Sequence, residues 1–241
     1  MSRDFFWLTE AQFDRIRPHL PTDTRGKARV DDRRVISGIV HVLKSGGRWV
    51  DAPAVYGPRK TLYNRFVRWA EKGVWEKLFR SLASAGGPPE QVLIDSSAIK
   101  AHRSAAGGKG GRRPQAIGRS RGGRTTKIHA LTDRDNVADC TAGHDLLKQL
   151  PDARILHAVK GYDSNAIRRQ VEANGTMPNI SPKVNRRWKS TFSRVLYRNR
   201  NAIERMFCRL KEFRRIATRY DRLAVNFLAA IHLAATVCYW L

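Results

Sequence analysis

Between Ser96 and Thr132 the chain contains no Asp or Glu, while nine basic residues (Lys100, Arg103, Lys109, Arg112, Arg113, Arg119, Arg121, Arg124 and Lys127) alternate with glycines. Such a stretch has too little apolar surface to offset the entropy lost on ordering it alone. It therefore divides the sequence into flanking parts that carry the cores, and is itself either a linker or a loop that orders on a phosphate backbone. The second alternative is favoured, because Lys and Arg number 46 against 21 Asp and Glu, a net charge of +25 that calls for a polyanionic partner. The basic residues are spread along the chain rather than gathered in one cluster beside an apolar segment, which favours nucleic acid over an anionic membrane. The glycines around Lys109 do not make a P-loop, since no Ser or Thr follows the Lys and the spacing is wrong, so ATP binding is not expected.

Residues 1–85 read as helical. Thr9 can cap a first helix, Pro18 and Pro21 interrupt, and a basic loop over 24–29 follows. A helix then starts at Asp31 or Asp32, with Val35, Ile36, Ile39, Val40, Val42 and Leu43 on one broad face, and stops at Gly46-Gly47. The next helix, Lys60 to Lys72, offers Leu62, Tyr63, Phe66, Val67, Trp69 and Ala70 to a core and carries Arg59, Lys60, Asn64, Arg65 and Arg68 on its other face. A further helix spans Val74 to Leu82. One basic helix on a small helical unit suits a helix-turn-helix reader of the major groove, with Asn64, Arg65 and Arg68 reaching phosphates or base edges. A bundle with a merely solvated basic face remains the alternative, and the net charge favours DNA. Ser84 to Pro89 reads as a linker.

Beyond it, Gln91 to Ile94 is a short apolar run followed at once by Asp95, a carboxylate that is costly in a buried strand unless paired or bound to metal. The alternative is an Asp capping a Ser96-Ser97 turn. Thr125 to Leu131 alternates like a strand, Ile155 to Val159 reads as a buried strand, Ser164 to Ala173 as a helix, and Met177 to Ile180 as a last short strand. The loop over 181–194 is basic, with Trp188 and Phe192 able to stack on unpaired nucleotides, a solvated surface loop being the alternative.

Tyr197, Arg200, Glu204 and Lys211 recur at the spacing of one helical stripe, opposite Ile203, Met206, Phe207 and Leu210. A carboxylate flanked by cations suits a site for metal and phosphates, although an ordinary i,i+4 ion pair on a solvated helix has the same pattern. Leu223 to Leu241 is apolar, but Asn226 and His232 interrupt it, so a buried helix is expected rather than a membrane span. Cys140, Cys208 and Cys238 form neither a CxxC pair nor a zinc spacing and read as buried thiols of a reducing cytoplasm. The N-terminus lacks the apolar run and cleavage site of an export signal.

The motif Y-x2-R-x3-E-x6-K formed by Tyr197, Arg200, Glu204 and Lys211 resembles the signature of bacterial insertion-sequence transposases of the IS5 kind. VLIDSSAIKAH, GGKGGRRPQAIGRSRGGRTTKIHALTD, VKGYDSNAIRRQ, ERMFCRLKEFRRIATRYDRLAVNFLAA and the N-terminal LTEAQ, VDDRRVISGIVHVLKSGGRW and YGPRKTLYNRFVRW extend the resemblance over nearly the whole chain. It implies an α+β protein: a helical DNA-binding domain over 1–85, then an RNase H-like domain with a mixed sheet over 90–241, carrying a basic Gly/Arg-rich loop over 103–124. Three carboxylates would hold two Mg2+ or Mn2+ ions, with Asp95 as the first and Glu204 as the third, for in-line attack on DNA phosphodiesters. Arg119, Arg121, Arg124, Lys127, Tyr197, Arg200 and Lys211 would meet the DNA. The implied partners are double-stranded DNA, as element ends and target, and further copies of the chain on that DNA, in a bacterial cytoplasm at the nucleoid.

Two departures from the family pattern stand out. The second catalytic Asp usually precedes K-G-Y, where this chain has Val159, and Asp163 lies four positions on as a helix-start residue. An isopropyl group cannot ligate metal, so the resemblance implies a crippled two-metal site, leaving a DNA-binding but non-cutting protein as the alternative function. Relatives also carry a further strand between TKIHALTD and NVADCTAG, which residues 133–136 would here bridge, so the sheet is expected to be one strand short.

Overall fold

The structure, a computed structural model, describes residues 5–22, 30–87, 89–107, 115–133, 138–141, 146–147 and 150–241. The expected basic loop over 24–29, the centre of the Gly/Arg-rich stretch with Lys109, Arg112 and Arg113, and the bridge over 134–136 lie outside the described residues. Two compact units are present, each assembled from separate chain segments: residues 1–82, 99–126 and 210–241 form the first, residues 83–98 and 127–209 the second.

The first unit is mainly helical. Thr9 caps α1 (Glu10–Ile16) by a reciprocal arrangement in which its hydroxyl accepts the Gln12 N–H while the Gln12 side chain accepts the Thr9 N–H. Asp31 caps α2 (Asp32–Ser45), whose six predicted apolar residues are all buried. The helix ends at Gly46, which takes a left-handed conformation (φ 76°) that disfavours a Cβ. Gly38, inside α2, lets the chain approach Tyr56, since a Cβ there would lie 2.6 Å from the Tyr56 Cβ. In α3 (Arg59–Glu71) Leu62, Phe66, Trp69 and Ala70 are buried as expected, whereas Tyr63 is exposed. Trp75, in α4 (Val74–Ala83), is fully buried and its indole N–H donates to the Phe66 carbonyl.

The C-terminal segment completes this unit with α8 (Arg214–Ala217) and α9 (Ala224–Tyr239). As expected, α9 is a buried helix: His232 stacks on Phe79 at 5.1 Å and Asn226 is also interior. No helix among the described residues is long and apolar enough to cross a membrane.

The strands are β1 (Gln91–Ala101), β2 (Gly118–Ser120), β3 (Gly123–Asp133), β4 (Ala138–Thr141), β5 (Ile155–Ala158), β6 (Met177–Ile180) and β7 (Thr218–Arg219), in the order β2-β3-β1-β5-β6, with β4 on β3 and β7 on β1. In the second unit β1, β5 and β6 are parallel, and β3 and β4 form an antiparallel pair. Val92, Leu93 and Ile94 are buried in succession, as befits a strand inside the sheet, parallel to β5, with both faces covered. α5 (Asn165–Ala173), capped by the Ser164 hydroxyl, connects β5 to β6 and contributes Val171 to a core with Val92, Ile94, Leu156, Ala158 and Ile180. A helical N-terminal region followed by a mixed sheet with helices agrees with the expected architecture.

One strand was not expected, and two expectations are corrected. Ala138–Thr141, within NVADCTAG itself, pairs with His129–Thr132, while the bridge across which a further strand was expected to be missing falls outside the described residues. Four residues without an apolar alternation are too short to show a period of two, which is why this strand left no signal. β1 does not stop at Ile94: it continues through Asp95 to Ala101, so Asp95 lies within a strand rather than capping a turn. Part of the basic stretch is itself regular, with Arg119 paired to Arg124 across the β2–β3 hairpin.

Candidate active site

The carboxylates of Asp95 and Glu204 meet at one guanidinium. The Arg200 Nη1 lies 3.3 Å from Asp95 Oδ2, and its Nη2 lies 2.6 Å from Glu204 Oε1. Asp95 also accepts its neighbour Ser96's backbone N–H at 2.7 Å, so both oxygens of this mostly buried group have partners. The Arg200 guanidinium lies over the Tyr197 ring, 5.3 Å from its centroid. Burial raises the Tyr197 pKa, opposed by the nearby Arg200 charge. Three of the four signature residues are therefore together, and the i,i+4 pair is present as one arm of a wider bridge. Lys211 ends α7 as an exposed residue of the first unit.

The signature residues do not occupy one continuous helix. α6 (Arg194–Tyr197) gives way to a 3-10 turn, Arg198–Arg200, before α7 (Asn201–Lys211). The stripe in the sequence is thus real in composition but broken in conformation. α7 buries Ile203, Met206, Phe207 and Leu210, the predicted core face. Cys208, expected to be a buried thiol, is exposed because it falls on the opposite side of this helix.

A buried polar network that the sequence reading missed anchors the turn. The Asn199 side chain donates to Gln91 Oε1 on β1 at 2.9 Å, and that oxygen also lies 3.2 Å from His157 Nε2 on β5. The Asn179 amide nitrogen on β6 lies 3.0 Å from His157 Nδ1 and donates to the Ser193 carbonyl at 3.1 Å. With Asn179 donating to Nδ1, His157 is the neutral tautomer protonated on Nε2. Burial lowers its pKa in the same sense. A lone His inside the apolar run ILHAV was the available signal.

Val159 directly follows β5. Since Ile94 pairs with Ala158 on parallel strands, the next residues, Asp95 and Val159, leave the pairing side by side. Val159 lines a cavity of about 210 Å3 with Ser96, Lys127, His129 and Tyr162 among its walls. The Tyr162 hydroxyl lies 2.8 Å from His129 Nδ1, and burial pushes this phenol up to about 12. Asp163 is elsewhere engaged: Arg168 and Arg186 pair with it at 2.9 and 2.6 Å, and the Lys183 N–H donates to it at 2.9 Å. Burial raises its pKa, but these donors outweigh that and hold it below the usual carboxylate value. Among the described residues no group of three His, Cys, Asp or Glu side chains could hold a metal ion. Two carboxylates already spanned by a guanidinium, with an isopropyl group beside them, do not fit a pair of divalent ions.

The other predicted nucleic-acid residues fall into two kinds. Asn64 and Arg68 are exposed on α3, and Arg119, Arg121 and Arg124 are exposed on the β2–β3 hairpin, all in the first unit. Lys127 is exposed on β3 in the second. Arg65, by contrast, pairs with Asp32 and stacks on Trp69, so its guanidinium is already used within the helical unit. Trp188 is 82% exposed, whereas Phe192 packs edge-on against Tyr197 at 5.0 Å.

Comparison with known proteins gives two family matches that together span nearly all of the chain. A family described as "Putative transposase of IS4/5 family" matches residues 8–79, and one described as "Transposase DDE domain" matches residues 86–241. "Uncharacterized protein y4sN" of Sinorhizobium fredii is 37% identical over 114 residues, 45% of this chain and 90% of that protein. "Putative transposase for insertion sequence element IS6501" of Brucella ovis is 30% identical over 127 residues, 48% of this chain and 98% of its own length. The 16.2 kDa protein of insertion element IS402 from Burkholderia cepacia is 35% identical over 83 residues, 32% of this chain and 56% of its own. No solved structure matches the chain.

Proposed function

The chain belongs to the DDE transposases of the IS4/5 family, and from that premise we propose that it binds the terminal repeats of its element as duplex DNA but is impaired in cutting them. The observation that carries the second half is Val159, which stands beside Asp95 where the family's second carboxylate belongs. In this family the chemistry is supplied by divalent metal held by three carboxylates. Here Asp95 and Glu204 supply two, and both are turned to Arg200. Asp163 cannot stand in, since its carboxylate is buried among two arginines and a backbone donor.

The binding half rests on charge and exposure. Asn64 and Arg68 form the outward face of the helix that would enter the major groove in a helix-turn-helix arrangement. Arg119, Arg121 and Arg124 project from a hairpin suited to tracking phosphates, and Lys127, Tyr197, Arg200 and Lys211 would meet the backbone near the carboxylates. Arg65 supports α3 from behind through Asp32 and Trp69. The chain would act as a homo-oligomer on paired element ends.

The same observation favours a second reading, a regulator derived from a transposase that occupies element ends and lowers transposition through mixed oligomers. Both are tested by one set of strains carrying a marked element with intact ends. The unaltered chain should give little excision and should depress excision by a Val159→Asp copy supplied with it. The Val159→Asp copy alone should excise at least about 100-fold more often, a factor at the upper end of what altering even an outer-shell partner of a metal ligand costs. Equal excision by both forms would overturn the impaired reading. In gel-shift experiments, equal affinity for terminal-repeat and shuffled duplexes would overturn the recognition of ends.

A further inference from the structure

We infer that Arg200 is the resident cation of this site, taking between Asp95 and Glu204 the place that a divalent ion holds in the family, and that the site meets a DNA phosphate without metal. The inference deepens the proposed reading and rests on it for the identity of the partner. Loss of the second carboxylate does not by itself exclude metal, because Mg2+ is commonly held by one or two carboxylates together with substrate phosphates. What decides the matter is two features together: the remaining carboxylates are joined by Arg200, and Val159 withholds the ligand with which the family holds metal beside that same signature arginine. One guanidinium spans the two carboxylates, through Nη1 to Asp95 and Nη2 to Glu204, and the 2.6 Å arm is a short charge-assisted bond. A metal entering between them would have to break that bridge and sit beside a fixed positive charge, with Val159 offering no ligand in compensation.

The guanidinium is held in place from several sides. The Tyr197 ring lies beneath it, and the turn that carries it is tied to β1 through Asn199 and Gln91. Gln91 in turn is held by His157, which Asn179 orients, so β1, β5 and β6 together set where Arg200 lies. The charge balance favours the same conclusion. Asp95 and Glu204 alone would present two negative charges to an approaching phosphate, and Arg200 cancels one of them. A guanidinium has five N–H donors, so two nitrogens engaged with carboxylates leave N–H groups for a phosphate oxygen. The side chain is partly exposed, as is Glu204, which leaves that approach open.

The test uses the full chain, Arg200→Ala, Val159→Asp and the double variant, each checked for folding by circular dichroism, with Arg200→Lys as the variant to use if Arg200→Ala does not fold. Lys keeps one charge on a single nitrogen and cannot span both carboxylates in the same way. Mn2+ binding is read by electron paramagnetic resonance without DNA. The unaltered chain should show no saturable site up to about 1 mM, the weak end of carboxylate sites for hard cations. Removing the guanidinium should tighten Mn2+ binding at least about tenfold, and the double variant should bind more tightly still. Affinity for a terminal-repeat duplex is then compared in EDTA and in Mn2+ at matched ionic strength. It should be the same in both for the unaltered chain, whereas Arg200→Ala should bind at least about tenfold more weakly in EDTA and recover in Mn2+, as expected when a charged partner is lost. A micromolar Mn2+ site in the unaltered chain, or an Arg200→Ala chain with undiminished DNA affinity in EDTA, would overturn the inference. If no form binds the duplex, the proposed DNA recognition fails instead, while the Mn2+ isotherms still judge the place of Arg200.

Discussion

Val159 and Asp163 are four residues apart, and their surroundings support the proposal that the first leaves the carboxylate set incomplete and the second does not complete it. The Val159 isopropyl group follows the end of β5, level with Asp95, whereas the Asp163 carboxylate is turned into the fold against Arg168, Arg186 and the Lys183 N–H. Asp163→Asn should therefore act on stability rather than chemistry. Leaving Arg168 buried without its counter-charge should cost about 3 kcal/mol, read as a lower urea midpoint with an unchanged slope. An Asp163→Asn chain of unaltered stability would contradict this structural role, and specific loss of excision by the Val159→Asp form would show that the carboxylate takes part in catalysis. Arg65 and Arg68 form a second contrasting pair on one helix. Arg65→Ala should lower stability through the loss of Asp32 and Trp69 as partners, while Arg68→Ala should leave stability within about 0.5 kcal/mol and reduce the salt slope of DNA binding by about one.

At the scale of elements, the network from Asn199 through Gln91 and His157 to Asn179 joins three parallel strands to the turn bearing Arg200, and it contains a titratable group. Burial lowers the His157 pKa below its ordinary value near 6.5, so the unfolded chain binds this proton more readily than the folded one. Stability from this group is present above the unfolded pKa and is lost as pH falls from about 6.5 through the folded value. Thermal unfolding should accordingly shift downward over that window, and His157→Gln should flatten the shift; an identical pH profile for both would contradict the assignment. These elements were unequally legible in the sequence. The helices α1 to α5 and the strands β5 and β6 carried caps, apolar periodicity or buried runs, and they lie within a residue or two of where the pattern put them. β4 has neither the length nor the alternation to register, and β1 is hidden after Ile94 by Asp95-Ser96-Ser97, whose turn chemistry is overridden by tertiary partners. The signature spacing found Arg200 and Glu204, and the apolar run before it singled out Asp95, but neither found the 3-10 turn that breaks the stripe, because local spacing does not report a bond from Asn199 to a strand 108 positions away.

For the whole molecule, +25 overstates the charge offered to a partner, since Arg168, Arg215 and Arg219 are buried and serve the fold. Arg219 donates to the Asp221 and Gln115 carbonyls and to the Thr126 hydroxyl, and burial lowers its pKa to about 10. The exposed remainder still predicts a steep salt dependence: with about six phosphates neutralised, affinity for duplex DNA should fall roughly 1000-fold between 50 and 200 mM salt. A flat dependence would contradict the account of the partner. The central claim is that the chain retains the DNA recognition of its family while its carboxylate set no longer supports cutting. Its most direct test is single-turnover nicking of an end-labelled terminal-repeat duplex in Mn2+, with protein in excess of its measured dissociation constant so that every duplex is bound. The account predicts bound but uncut DNA for the unaltered chain and metal-dependent nicks at the element boundary for Val159→Asp. Nicking by the unaltered chain at the rate of the Asp form would contradict it.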